Sequence, residues 1–192
     1  HLFDPSTKNL RSYYSLSQDP NSLSSSVIQS LYQDKFNNLW VGADKGINRL
    51  DLDGAPFSKI SLYNDSEGQN RVTGVIQSVI NPQICWVTTK GGGLYQLDLK
   101  TNSSKPISLT LDKANNFTNF MSGVAYDDQQ NLWLSTQGAG VIRIRERDLL
   151  GRSSQPIPYD QYLIDSGLDH NHVMSIHVAG DGQVWFGYWN RG

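Results

Sequence analysis

Asp34-Lys35-Phe36-Asn37-Asn38-Leu39-Trp40-Val41-Gly42-Ala43-Asp44-Lys45-Gly46-Ile47-Asn48-Arg49-Leu50-Asp51 reads as a turn, a short apolar strand around one tryptophan, a second turn and another strand. The pattern returns around Trp86, Trp133 and Trp185, at spacings of 46, 47 and 52 residues. The later copies contain Cys85-Trp86-Val87-Thr88, Leu132-Trp133-Leu134-Ser135 and Val184-Trp185-Phe186-Gly187. Ahead of the tryptophans, Val27-Ile28-Gln29-Ser30-Leu31 aligns with Val75-Ile76-Gln77-Ser78-Val79, Met121-Ser122-Gly123-Val124-Ala125 and Val173-Met174-Ser175-Ile176. A repeat of this length, made of short apolar runs and turn residues, is the signature of a β-propeller blade.

Within the first copy, strands are expected over 26–33, 39–43, 47–52 and 57–63, separated by Asp-, Asn-, Gly- and Pro-bearing turns. Four antiparallel strands on such short loops form a meander, which is one blade. Glycines recur in the second hairpin, at Gly91-Gly92-Gly93 and Gly138-Ala139-Gly140, where positive φ is needed. The innermost strands carry apolar groups on both faces, as burial between two neighbouring blades requires. The tryptophans are therefore expected as core wedges between repeats. No stretch has convincing helical period; Arg143 to Leu150 is expected to continue a third strand.

Residues 1–23 match the end of a blade, 24–69, 70–117 and 118–168 are whole blades, and 169–192 start another. The expected fold is all-β: three whole blades and two halves, about four blade equivalents. Two closures are consistent with this count: a small ring sealed by pairing head to tail, or an arc of a larger propeller, which is the favoured reading. A chain opening on His1 and cut within the repeat reads as a piece of a longer polypeptide.

Net charge of −2 and scattered lysines and arginines leave no electrostatic footprint for nucleic acid. The one cysteine, Cys85, excludes an internal disulfide and is expected as a buried, inert thiol. No apolar run approaches the ~18 residues of a membrane span. Nucleophile elbows, phosphate-binding loops and His-Glu-x-x-His are all absent. Asp127-Asp128 and Asp51/Asp53 lie in hairpin turns, where aspartate caps its own backbone rather than serving acid-base chemistry.

The copies resemble the two-component regulator propeller repeat, whose pattern is Asp, a turn, Leu-Trp-Ile/Val-Gly-Thr, then Gly-Leu and Arg. Asp34, Leu39-Trp40-Val41-Gly42, Gly46-Ile47 and Arg49 carry it in the first copy. Trp86-Val87-Thr88-Thr89 with Gly93-Leu94 carries it in the second, and Asp128, Leu132-Trp133-Leu134-Ser135-Thr136, Gly140-Val141 and Arg143 in the third. Asp181-Gly182 with Val184-Trp185-Phe186-Gly187 carries it in the fourth. Ala43 replaces the usual threonine, and Asn81-Pro82 replaces the acidic turn of the second copy. The resemblance implies the periplasmic or extracytoplasmic sensor region of an inner-membrane signalling receptor, itself non-catalytic. It also implies a histidine kinase or diguanylate cyclase output domain elsewhere in the parent. An interaction scaffold is the alternative reading, and a propeller-fold carbohydrate-active enzyme ranks below both.

Loops entering each innermost strand, and loops between second and third strands, gather on one face of a propeller around its axis. The first set offers Arg71, Asn119, His170 and His172, together with Ser24, Ser25, Asn70 and Thr118. The second offers Asp44, Lys45, Lys90, Gln137, Trp189, Asn190 and Arg191. Amides, charges and one aromatic suit hydrogen bonding and stacking on a small polar ligand such as a carbohydrate. His170 and His172, two apart on an extended segment, face the same way, but lack a third ligand, so no metal and no cofactor is assigned. The remaining expected partners are the adjoining domains of a parent receptor and a second copy in a homodimer.

Overall fold

In the computed structural model, the described residues are 1–52, 54, 57–62, 70–109, 119–151 and 156–189. A hairpin of β1 (Leu2–Asp4) and β2 (Asn9–Arg11) comes first. Three antiparallel four-stranded blades follow. Blade 1 is β3 (Ile28–Gln33), β4 (Asn38–Ala43), β5 (Gly46–Asp51) and β6 (Ser58–Ile60). Blade 2 is β7 (Asn70–Gln77), β8 (Ile84–Gly91), β9 (Gly93–Asp98) and β10 (Ser104–Ile107). Blade 3 is β11 (Met121–Tyr126), β12 (Asn131–Thr136), β13 (Val141–Arg145) and β14 (Asp160–Tyr162). A final pair, β15 (Val173–Val178) and β16 (Val184–Tyr188), starts a fourth blade. The two terminal hairpins form separate sheets, so the chain is an arc of propeller blades rather than a ring sealed head to tail.

Burial follows the repeat. Trp40 packs with Val72, Val75, Val87 and Tyr95 of blade 2, and Trp86 with Leu132, Leu134, Ile142 and Leu149 of blade 3. Trp133 packs with Val173, Ile176 and Phe186 of the fourth blade. Each indole is thus sealed by the blade that follows it. Trp185 departs from the expected wedge role and is 62% exposed, because no described blade follows β16 to cover it. Cys85 is fully buried, and burial pushes its thiol up to about 12, with the Asp34 charge adding to the shift.

Acceptors for the indole N–H groups correct two sequence assignments. Trp40 Nε1 donates to Asp34 Oδ2 at 2.8 Å, and Trp133 Nε1 to Asp127 Oδ2 at 2.8 Å. The repeat's acid in blade 3 is therefore Asp127, not Asp128. In the fourth copy Asp181 accepts the Gln183 backbone N–H instead of an indole. Asp34 and Asp127 each also take two backbone N–H groups of their own turn, from Phe36 and Asn38 and from Gln129 and Asn131. Burial raises the Asp127 carboxyl, but these hydrogen bonds outweigh it and hold the group below the usual range.

Blade 2 lacks the acid and finds another. The chain leaves β13 at Arg145 and forms α1 (Glu146–Leu150), where a continued strand was expected. Glu146 is fully buried; its Oε1 accepts from Trp86 Nε1 at 2.7 Å and its Oε2 from the Ile80 backbone N–H at 3.2 Å. A carboxylate 60 residues away thus substitutes for the missing turn aspartate. The repeat's arginine also has a place: Arg49 lies opposite Trp40 and Arg143 opposite Trp133, with guanidinium carbons 6.0 and 5.6 Å from the ring centroids. Ala43 is accounted for by loop length. Thr89 and Thr136 hydroxyls bind the Gly93 and Gly140 carbonyls across a longer turn, whereas Ala43 pairs directly with Gly46 around a two-residue turn.

Candidate functional site

The innermost strands share one irregularity. Register slips by one residue between Ile28 and Ser30, Val72 and Gly74, Met121 and Gly123, and Val173 and Ser175. Each slip is a β-bulge, and its extra residue is Gln29, Thr73, Ser122 or Met174. These positions also fix the structural alignment of the copies. Val75 is equivalent to Leu31, since both sit opposite the valine after the tryptophan, so the sequence match of Val75-Ile76-Gln77-Ser78 to Val27-Ile28-Gln29-Ser30 is four residues out of register.

Just past each bulge, one member of the facing pair is glycine and the other carries a hydroxyl: Ser30 with Gly42, Gly74 with Thr88, Gly123 with Ser135, Ser175 with Gly187. A Cβ on Gly74 would come within 2.8 Å of the Thr88 hydroxyl and 2.9 Å of Val124 in the next blade. At Gly42 and Gly187, as at Gly74, an added Cβ would fall within 3.0 Å of the paired hydroxyl, so only one side chain fits at each of these pairs. That close approach brings β3, β7, β11 and β15 together around the axis.

The four bulge residues line one cavity of about 420 Å³, together with Arg71, Lys90, Gln137 and Trp189. Thr73 Oγ1 donates to the Met121 carbonyl at 3.0 Å, and Ser122 Oγ donates to the Val173 carbonyl, each reaching the next blade. Between blades 1 and 2 the link is ionic: Asp44 Oδ1 accepts from Gln29 Nε2 at 2.7 Å and pairs with Arg71 Nε at 2.9 Å. Backbone bridges Lys90 to Phe120 and Gln137 to His172 fix the ends of β8 and β12 against the loops entering the following blades.

Of the residues singled out from sequence, Arg71, Lys90, Gln137 and Trp189 meet at this cavity, and Asp44 joins through Arg71. Lys45, Asn119, His170 and His172 are not among its lining residues. Asn119 lies against Gly93, and His170 Nδ1 accepts the His172 backbone N–H at 2.9 Å, with the rings 5.0 Å apart. Among the described residues no third ligand-type side chain joins those histidines. Thr118, Asn190 and Arg191 lie outside the described residues. The bulge residues themselves were missed; the signal was present in a small residue, serine or glycine, two places after an apolar one at the start of each inner strand.

Residues 22–45 match the family described as Two component regulator propeller. The extracellular domain of the hybrid two component system BT4673 from B. thetaiotaomicron is similar at 19% identity and a TM-score of 0.73, covering 86% of this chain and 23% of that one. A second structure, of the extracellular domain of the one component system BT4673 from the same organism, gives 21% identity and 0.74, covering 97% and 23%. The Myceliophteria thermophila Cps50 (Swd1) beta-propeller domain gives 12% and 0.58, covering 84% and 49%. These likenesses show the propeller fold, and the chain spans about a quarter of the length of the two bacterial structures. No curated protein matches the chain.

Proposed function

We propose that this chain forms part of the extracytoplasmic signal-input propeller of a bacterial membrane receptor, and that a small polar ligand enters at its axial cavity. The family match at residues 22–45 and the extracellular domains it resembles support the input role. No helix among the described residues is long and apolar enough to cross a membrane. In this reading catalysis belongs to an output domain elsewhere in the parent, and Asp44, which reaches the cavity through Arg71, is already engaged by Gln29 and Arg71.

The convergence of four differing bulge residues with Arg71, Lys90, Gln137 and Trp189 on one cavity carries the binding half of the proposal. Strands present six of these eight side chains, and Gln137 and Trp189 sit one residue past β12 and β16, so the site is largely preformed. Occupancy touches four successive blades, the last represented by β15 and β16, and a ligand that favours one packing of them shifts the receptor's conformational equilibrium. A thermal-shift screen of the full chain against sugars and amino acids tests it. A stabilising compound is expected whose effect is lost in Arg71→Ala and Trp189→Ala; a shift that survives both substitutions places the pocket elsewhere.

A further inference from the structure

Charge around the axial cavity is unbalanced. Arg71 is paired with Asp44 at 2.9 Å, whereas the Lys90 ammonium makes no ion pair or hydrogen bond among the described residues. Among the described residues the Gln137 amide is likewise unengaged, and Trp189 stands 66% exposed at the rim without a stacking partner. A fixed surplus cation, a free amide donor and a bare indole face call for different parts of one molecule. The first two suit an anionic oxygen pair, and the third suits a flat apolar surface.

Resting on the axial-cavity reading above, we infer that the cavity selects a small monocarboxylate bearing a flat apolar face, held at the carboxylate by Lys90 and the outer guanidinium edge of Arg71 and stacked on Trp189. Asp44 has a positioning role. Its Oδ1 takes the Arg71 Nε, which leaves the terminal guanidinium nitrogens for the incoming carboxylate. Arg71 does two things in this arrangement: it attracts the anion and it neutralises Asp44. Removing it exposes the Asp44 charge to the incoming carboxylate, so its loss weakens binding more than loss of Lys90 does.

The test is calorimetric titration of the full chain with D-glucuronate and benzoate, each beside its uncharged counterpart, D-glucose and benzyl alcohol. The two acids separate a sugar face from an aromatic one, and stronger binding of either supports the inference. At least one carboxylate is expected to bind tenfold or more tighter than its neutral counterpart, with the preference shrinking as salt rises. Lys90→Gln should abolish most of that preference, and Arg71→Gln should weaken the carboxylate further. Trp189→Ala should weaken acid and neutral compound by the same factor. If a neutral counterpart binds as well as its acid, the anion selection is wrong while the cavity reading stands. If neither acid binds, the inference is overturned. Binding that ignores all three substitutions overturns both the inference and the cavity reading.

Discussion

The indole anchors and the axial bulges occupy equivalent places in successive blades, yet the chain treats them in opposite ways. At the anchors the chemistry is held constant: Trp40, Trp86 and Trp133 are buried, each donates to a carboxylate, and when blade 2 lacks its aspartate, Glu146 supplies the group from the next blade. At the bulges the backbone is constant and the side chain is free, giving Gln29, Thr73, Ser122 and Met174. Sameness marks the positions that hold blades together. Difference at a fixed geometry marks the positions available for recognition.

The largest expected effect lies at an anchor. Trp86→Ala should destabilise by about 3–5 kcal/mol in chemical denaturation, because it empties the space sealed by blade 3. A loss no larger than that of a surface substitution would break the division between the two sets. Gly74→Ala, between anchor and bulge, should cost about 1–3 kcal/mol through overpacking against Thr88 and Val124. Thr88→Gly in the same molecule should recover part of it, since the blades differ in which partner is glycine; additive losses would argue against the fitted pair.

A smaller effect is read in pH. The folded-state Asp127 carboxyl is held below its ordinary value, so its contribution is fully present above the unfolded value of about 3.9 and is lost as pH falls through the folded one. The stability gap between the parent and Asp127→Asn should therefore close with acidification below about pH 4, and a gap independent of pH would count against the ionised carboxylate as the indole's acceptor. The smallest effect belongs to the bulges. Met174→Leu should change stability by less than about 1.5 kcal/mol, as volume-conserving swaps do, while altering the thermal shift produced by a bound ligand. A large loss of stability there would merge bulge and anchor into one structural class.

Much of the fold was legible because one pattern appears four times: the tryptophan spacing, the hairpin glycines and the short turns give blades in order. What failed had physical reasons. Val75-Ile76-Gln77-Ser78 imitates Val27-Ile28-Gln29-Ser30, but blade 2 has a longer first turn, so the pairing register sets a different equivalence. Glu146 was invisible because its partner lies 60 residues away, across a blade boundary. Trp185 shows that an apolar repeat position is buried only when its neighbouring repeat is present to cover it. At the site, loop position picked out Arg71, Lys90, Gln137 and Trp189, which line one cavity, yet it could not separate them from Lys45 or His172, which do not. Bulges that aim a side chain at the axis are a register property, and register emerges only from strand pairing.

Hydrogen exchange of the full chain, with and without D-glucuronate, tests most directly that recognition sits at the axial end while the anchors serve only the fold. Added protection is predicted at Arg71–Thr73, Lys90 and Gln137, with none at the distant Asp127–Asn131 turn. Protection confined to that turn, with the axial segments unchanged, would contradict the account.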